Sequence, residues 1–206
     1  MGTRSSLKAL GLLVCVCAAS GAWAVDIYVD GDAPGANNGT SWVNAYRYLQ
    51  DALAVAQPGD TIKVAQGVYK PDQATGPVTG GRAATFRLAT GVAVLGGFAG
   101  YGLPPWPSDD RNTLLYPSVL SGDLSGNDTS VDPCDSAAVD AILTHATRQD
   151  NCYSVVTASY TNLTAILDGF TILGGIANGA SQKRGGGLLC VQGSPTIRNC
   201  VVKVCA

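Results

Sequence analysis

Glutamate does not occur in this chain; all fifteen acidic residues are aspartate. Glutamate supports helices, whereas aspartate bonds to nearby backbone in turns and at helix starts. With 26 glycines added, the composition predicts a turn-rich, strand-rich protein with little helix. Histidine occurs once, at His145, and no Cys-x-x-Cys pair exists, so the usual zinc-ligand spacing is missing. Charge is scarce too. Charged residues make up 14% of the chain and the formal net charge is −2, which argues against a nucleic-acid partner. Long apolar runs are absent as well. The most apolar stretch stands at the N-terminus and falls short of the ~20 residues that span a bilayer.

That stretch carries its own signal. Arg4 and Lys8 lie in a polar start, "LGLLVCVCAA" follows, and "AWA" at Ala22–Ala24 places small residues where a signal peptidase reads. The pattern predicts a secretory signal peptide over residues 1–24, cut after Ala24, and a secreted or cell-surface protein with no transmembrane segment once it is removed. Two of the thirteen basic residues leave with it, so the mature chain is more acidic still. An oxidising compartment permits disulfides. The remaining cysteines, Cys134, Cys152, Cys190, Cys200 and Cys205, are odd in number, so one thiol lacks an internal partner. Cys134 and Cys152 bracket an irregular stretch and either staple it or stay as two free thiols.

The mature chain is one domain's worth of sequence. Ile27 and Val29 read as a short strand. Apolar residues at Trp42, Ala45, Tyr46, Leu49, Ala52, Leu53 and Ala56 fall on one helical face. Ser41 is the expected N-cap, and "QPGD" at Gln57–Asp60 stops the helix. Beyond it, "TIKVAQGV" from Thr61 and "TFRLATGV" from Thr85 share an apolar-in, charge-out pattern that ends in a glycine turn. A repeat of this kind predicts a solenoid of stacked strands. A second echo joins "LDGFTI" at Leu167–Ile172 to "IRNCVV" at Ile197–Val202, with "QKRGGG" as the loop between. Prolines between Tyr101 and Asp150 oppose regular pairing, so residues 101–150 are expected to leave one coil as an excursion. The plan is a signal peptide over 1–24, an N-terminal strand and helix over 25–60, and coils over 61–206.

"IYVDGDAPGANNGTSWVNAYRYLQDALAVAQPGDTIKVAQGVYKP", "FRLATGVAVLGGFAGY", "VLSGDLSGND", "AILDGFTILGGIANG" and "GGGLLCVQGSPTIRNC" resemble, in order, blocks of secreted bacterial proteins of the pectin-lyase-like superfamily. The resemblance implies an all-β fold: a right-handed parallel β-helix of four or five coils, its open N-terminal end plugged by the Trp42–Ala56 helix. In that family the "GGG…C…SPTI.NC" block recurs, whereas here it stands once and "VVKVCA" follows. The expectation is a solenoid truncated at its C-terminal end. The alternative is a complete short protein whose edge strand self-associates.

Family likeness does not supply an activity, so candidate residues are weighed by their own chemistry. Asp109, Asp110 and Arg111 pair carboxylates with a guanidinium, as acid–base machinery or as a solvated turn. Asp123, Asn127, Asp128 and Asp132, in "SGDLSGNDTSVDPCD", carry oxygens that suit Ca²⁺, although Asp128 stands where an EF-hand loop needs glycine. Asp30, Asp32, Asn37 and Asn38 read as a structural turn network, the alternative being a weak calcium loop. Lys63 and Arg87 are expected on neighbouring coils, where an acidic polysaccharide laid along the face would relieve their repulsion. Tyr69, Tyr101, Trp106 and Tyr160 offer sugar-stacking rings. Asn38, Asn127 and Asn162 match a glycosylation sequon, read as incidental. The expected function is a non-catalytic secreted or surface scaffold that binds polysaccharide or a cell-surface glycan. The alternatives are a calcium-dependent, pectate-lyase-like enzyme and an adhesin or autotransporter-like passenger.

Overall fold

The computed structural model describes residues 23–76, 81–102, 109–129 and 142–206. Residues 1–22 of the expected leader, together with Trp106, Asp132 and Cys134, lie outside the described residues.

Strands among the described residues are short, and they pair in parallel. The chain runs β1 (Asp26–Val29), α1 (Leu49–Val55), β2 (Thr61–Ala65), β3 (Gly67–Tyr69), β4 (Phe86–Arg87), β5 (Ala93–Phe98), β6 (Ser118–Ser121), β7 (Val156–Thr157), β8 (Ile166–Asp168), β9 (Phe170–Leu173), β10 (Leu188–Leu189), β11 (Thr196–Arg198) and β12 (Val201–Lys203). A first sheet has the order β1-β2-β5-β8-β11, a second β3-β6-β9-β12 and a third β4-β7-β10. The chain visits the three in a fixed order: β2, β3, β4, then β5, β6, β7, then β8, β9, β10. The architecture is β-dominated and compatible with a parallel β-helix.

Register stacks like on like. In the first sheet Ile27, Ile62, Val94, Leu167 and Ile197 stand opposite one another in turn. In the second, Tyr69, Leu120, Ile172 and Val202 do the same. In the third, Phe86, Val156 and Leu188 line up. Most of these side chains join one continuous core. Period-two alternation sends one residue in and the next out, so each row buries a column of branched and aromatic groups. The rows open to solvent at the last strands, where Ile197 and Val202 are exposed.

The thirty-residue echo is a true structural repeat. Leu167 pairs with Ile197, Asp168 with Arg198, Thr171 with Val201 and Ile172 with Val202. Between paired strands the corner residues share a left-handed backbone: Gly169 at φ 85° and Asn199 at φ 51°, then Gly174 at φ 80° and Val204 at φ 54°. A β-branched residue is strained there, at roughly 1–2 kcal/mol. Val204→Gly is therefore expected to raise stability by up to ~1 kcal/mol, part of the relief being offset by chain entropy. A urea midpoint that falls instead would show that this corner carries no strain.

The other expected repeat does not stack. "TIKVAQGV" forms β2 and the start of β3, whereas Arg87 of "TFRLATGV" lies in β4 of the third sheet. The strand beside β2 is β5, with Ile62 opposite Val94. Every side of such a fold presents an apolar-in strand ending at a tight corner, so two sides of one pass mimic two successive passes. Lys63 and Arg87 are consequently on different sheets, and the expected basic pair does not exist.

The helix is shorter than its periodicity predicts. It begins at Leu49 rather than Trp42, and no side chain caps it. Ser41 Oγ instead accepts from Asn44 N at 3.3 Å. The reason is the free edge of β1. Tyr28 N donates to Gly39 O, Tyr46 N to Tyr28 O and Asp30 N to Tyr46 O. Satisfying those edge groups takes precedence over helical spacing, and residues 39–46 stay extended or turned. The stop at Gln57–Asp60 holds: Asp60 Oδ2 accepts from Gln57 N at 2.8 Å and Oδ1 from Val25 N at 3.1 Å. Leu49 and Ala52 bury into the core, and α1 lies against β1, β2 and β4. Within the stretch expected as an excursion, Ser118–Ser121 forms β6 of the second sheet.

Candidate ligand-binding groove

Outward rows differ sharply between the sheets. On the first sheet the row is Tyr28, Lys63, Leu95, Asp168 and Arg198. Trp42, Ala65 and Phe98 form a small second core there, with Tyr28 and Leu95 packed against it. Lys63 sits within it, 2.9 Å from Asp26 and 3.4 Å from Asp109, and 5.4 Å from the Tyr28 ring centroid. Burial alone would lower its pKa, but the two carboxylates outweigh that and the net direction is up. A lysine so occupied is not a free ligand cation.

The Asp109–Arg111 trio is dispersed rather than gathered. Asp109 Oδ1 accepts from Trp42 Nε1 at 2.9 Å. Asp110 Oδ2 accepts from the Tyr116 hydroxyl at 3.3 Å. Arg111 donates to Gly96 O at 2.9 Å and to Asp168 Oδ1 at 2.9 Å. Each serves a different structural contact.

In the expected calcium loop Asp123 is satisfied by backbone, whereas Asp128 Oδ1 is buried with no hydrogen-bond partner among the described residues. Asp123 Oδ1 accepts from Gly126 N at 2.7 Å and Asn127 N at 3.1 Å, and Oδ2 from Asp128 N at 3.0 Å. Asp128 Oδ2 accepts from Asn151 Nδ2 at 2.9 Å and lies 3.2 Å from Arg148 Nη1. Among the described residues no three carboxylate, thiol or imidazole groups cluster as a metal site. EDTA is expected to leave the thermal midpoint unchanged; a clear drop would restore the calcium reading. Asp30 is likewise a turn anchor, accepting from Asp32 N at 2.9 Å and Tyr101 N at 2.7 Å. His145 is an exposed loop residue whose Nδ1 meets Thr147 Oγ1 at 2.8 Å. Cys152 is fully buried and has no disulfide partner among the described residues; burial pushes its thiol up to about 12.

The third sheet is different. Its outward row is Arg87, Thr157 and Leu189, and a groove of about 330 Å³ opens on it. Thr85, Arg87, Tyr153, Ser154, Thr157 and Tyr160 provide its chemistry. The exposed Arg87 side chain has no hydrogen bond or ion pair among the described residues. Tyr160 is 75% exposed at φ 61°, a left-handed corner that recurs at Gln192. Tyr153 is held from outside the groove. The Arg82 guanidinium stacks on its ring at 4.4 Å from the centroid, while Arg82 donates to Asn151 O and to Asn178 Oδ1. Ser154 is 6% exposed and its Oγ has no partner. A buried hydroxyl left unpaired costs about 1–3 kcal/mol.

Sequence reasoning names Arg87 and Tyr160 but misses Tyr153, Ser154 and Thr157. "YSVVTASY" holds the signal: alternation turns Thr157 outward on the strand and brackets it with two tyrosines. Tyr69 is in the core and Tyr101 lies beside Asp30, so neither reaches the groove. No described helix is long and apolar enough to cross a membrane. Comparison of the chain with protein-family models, with curated proteins and with solved structures finds no match.

Proposed function

We propose that this chain is a secreted or surface-displayed right-handed parallel β-helix of the pectin-lyase-like kind, and that it is a non-catalytic scaffold that binds carbohydrate. The observation that carries the reading is the groove on the third sheet, where two tyrosines, hydroxyl side chains and an exposed arginine converge. Sugars are recognised by this combination, an apolar ring face for stacking and polar edges for hydrogen bonds. The repeated order of visits to three parallel sheets supports the β-helix, and parallel crossovers are right-handed in the great majority of proteins. The scaffold reading is favoured over a lyase because Asp109, Asp110, Arg111 and Lys63 are tied into structural contacts.

Two assays on the intact protein test this. A glycan-binding screen is expected to give retained ligands. An ultraviolet assay for unsaturated uronides on polygalacturonate, with and without calcium, is expected to stay flat. Accumulating product would overturn the scaffold reading, and an empty screen would overturn carbohydrate binding.

A further inference from the structure

We infer that Ala24–Val25 is a processing bond whose hydrolysis completes an ion pair: the α-ammonium freed at Val25 locks onto the buried carboxylate of Asp60. The inference rests on the secreted reading above and goes beyond it. The carbohydrate reading does not bear on it.

Three observations converge. The first is a charge without a counter-charge. Asp60 is 6% exposed, yet among the described residues it pairs with no lysine or arginine; the ion pairs there use Asp26, Asp109, Asp128 and Asp168. Buried carboxylates are rare unless paired. The second is position. Asp60 Oδ1 accepts from Val25 N at 3.1 Å and Oδ2 from Gln57 N at 2.8 Å. Backbone bonds fix both sides of that contact: Thr61 N donates to Val25 O at 3.0 Å, Asp60 N to Gln57 O at 3.0 Å and Ala93 N to Asp60 O at 3.1 Å. The third is access. Trp23, Ala24, Val25 and Asp26 are all exposed, and Ala22 and Ala24 are the small residues a signal peptidase reads. The nitrogen that the cut frees is the one already seated on the buried carboxylate.

Hydrolysis adds water across the amide. The leader departs as the Ala24 carboxylate, and Val25 keeps the nitrogen, which is protonated below its ordinary value of about 8. One neutral N–H donor thus becomes a charged group, and its bond to Asp60 strengthens without any movement. The further protons meet water, because Val25 is 51% exposed. A chain's first residues fray unless tied down. Here β1 is the edge strand of the first sheet, and the pair ties the new terminus to the corner that leads into β2. The other titratable groups bordering Val25 among the described residues are Asp26, which Lys63 holds at 2.9 Å, and Tyr46.

The test begins with the full chain, exported from a bacterial host under its own leader, and mass spectrometry of the product's N-terminus. Val25 is expected there. Urea unfolding then compares the product with the same product acetylated at its α-amine, across pH 6.5–10.5. Both forms carry Asp26, Lys63 and Tyr46, so the gap between them isolates the α-amine. At pH 7 the free amine is expected to raise the folding equilibrium constant about three- to tenfold. An amine whose folded value is raised by a carboxylate adds stability that is fully present below about pH 8 and is lost as pH rises through the folded value. The gap should therefore close towards the alkaline end, and Asp60→Asn should abolish it at every pH. If Asp60→Asn does not fold, the alkaline closure in the unsubstituted chain decides alone. No gap at pH 7, a gap that persists at pH 10.5, or one that survives in Asp60→Asn overturns the ion pair and leaves secretion standing. An exported product that starts at another residue does the same. A chain that is neither cut nor exported overturns the secreted reading together with this inference.

Discussion

Asp168→Ala is expected to lower the unfolding free energy by about 2–4 kcal/mol at pH 7. The side chain is 4% exposed, yet it carries three charge-assisted or amide bonds: Arg111 Nη2 at 2.9 Å, Arg198 Nε at 2.7 Å and Asn199 Nδ2 at 2.9 Å. These tie a loop before β6 to the last strand of the first sheet through one carboxylate. The partners are not equivalent. Arg198 is 56% exposed, so solvent screens it and its removal should cost ~1 kcal/mol or less. Arg111 is 30% exposed, donates also to Gly96 O and lies over the Phe98 ring. The expected order of loss is therefore Asp168→Ala, then Arg111→Ala, then Arg198→Ala. A denaturation series that ranks Arg198→Ala first would overturn this account.

The same node has a pH signature. Burial alone would raise the Asp168 carboxyl, but the bonds from Asn199, Arg111 and Arg198 outweigh it and the net direction is down. A carboxylate with a lowered folded pKa adds stability that is fully present above the unfolded value of about 3.9 and is lost as pH falls through the folded value. The stability gap between the native protein and Asp168→Asn should thus be widest at pH 6 and narrow towards pH 3. Asp30 and Asp128, both raised chiefly by burial, act with the opposite sign and soften the acid loss of the native protein. A gap that stays constant over that range would mean that Asp168 is not held as the anion.

Much of this architecture is legible as pattern, and what is not legible has identifiable causes. The echo between "LDGFTI" and "IRNCVV" marks true register, because two successive passes with short corners keep the same spacing. It also holds a finer clue: Asp168 and Arg198 occupy matching places in it, opposite charges one pass apart, and they meet at 2.7 Å. The apparent repeat between Thr61 and Thr85 misleads because strands of different sheets obey the same alternation as strands paired within one sheet. Periodicity overextends the helix because Trp42 and Tyr46 keep helical spacing while serving other needs, Trp42 in the small core over Lys63 and Tyr46 on the edge of β1. Charge composition flags Lys63 and Arg87 equally. Only packing separates them: the lysine is enclosed by two aspartates and aromatic rings, and the arginine is left open on the groove.

Gly169→Ala should be strongly destabilising, at about 2–5 kcal/mol. Two effects add at this corner between β8 and β9. The backbone is left-handed, at φ 85°, which costs an L-residue roughly 1–2 kcal/mol. A Cβ would also stand 2.9 Å from Gly96 O, 2.7 Å from Arg111 Nη2 and 2.7 Å from Thr113 Cγ2. The backbone oxygen belongs to β5 and already accepts from Arg111 Nε at 2.9 Å, and a displaced Arg111 loosens its hold on Asp168. Asn199 occupies the same corner one pass later at φ 51°, so the conformation alone is not prohibitive. Gly102 separates the two effects: it has φ 79°, but among the described residues nothing lies within 4 Å of the place a Cβ would take. Gly102→Ala should therefore cost only the conformational share, ~1–2 kcal/mol, and the excess at Gly169 measures the close approach of stacked passes. Equal losses at the two glycines would mean that crowding between passes contributes nothing, and that the corner is chosen for its backbone angle alone.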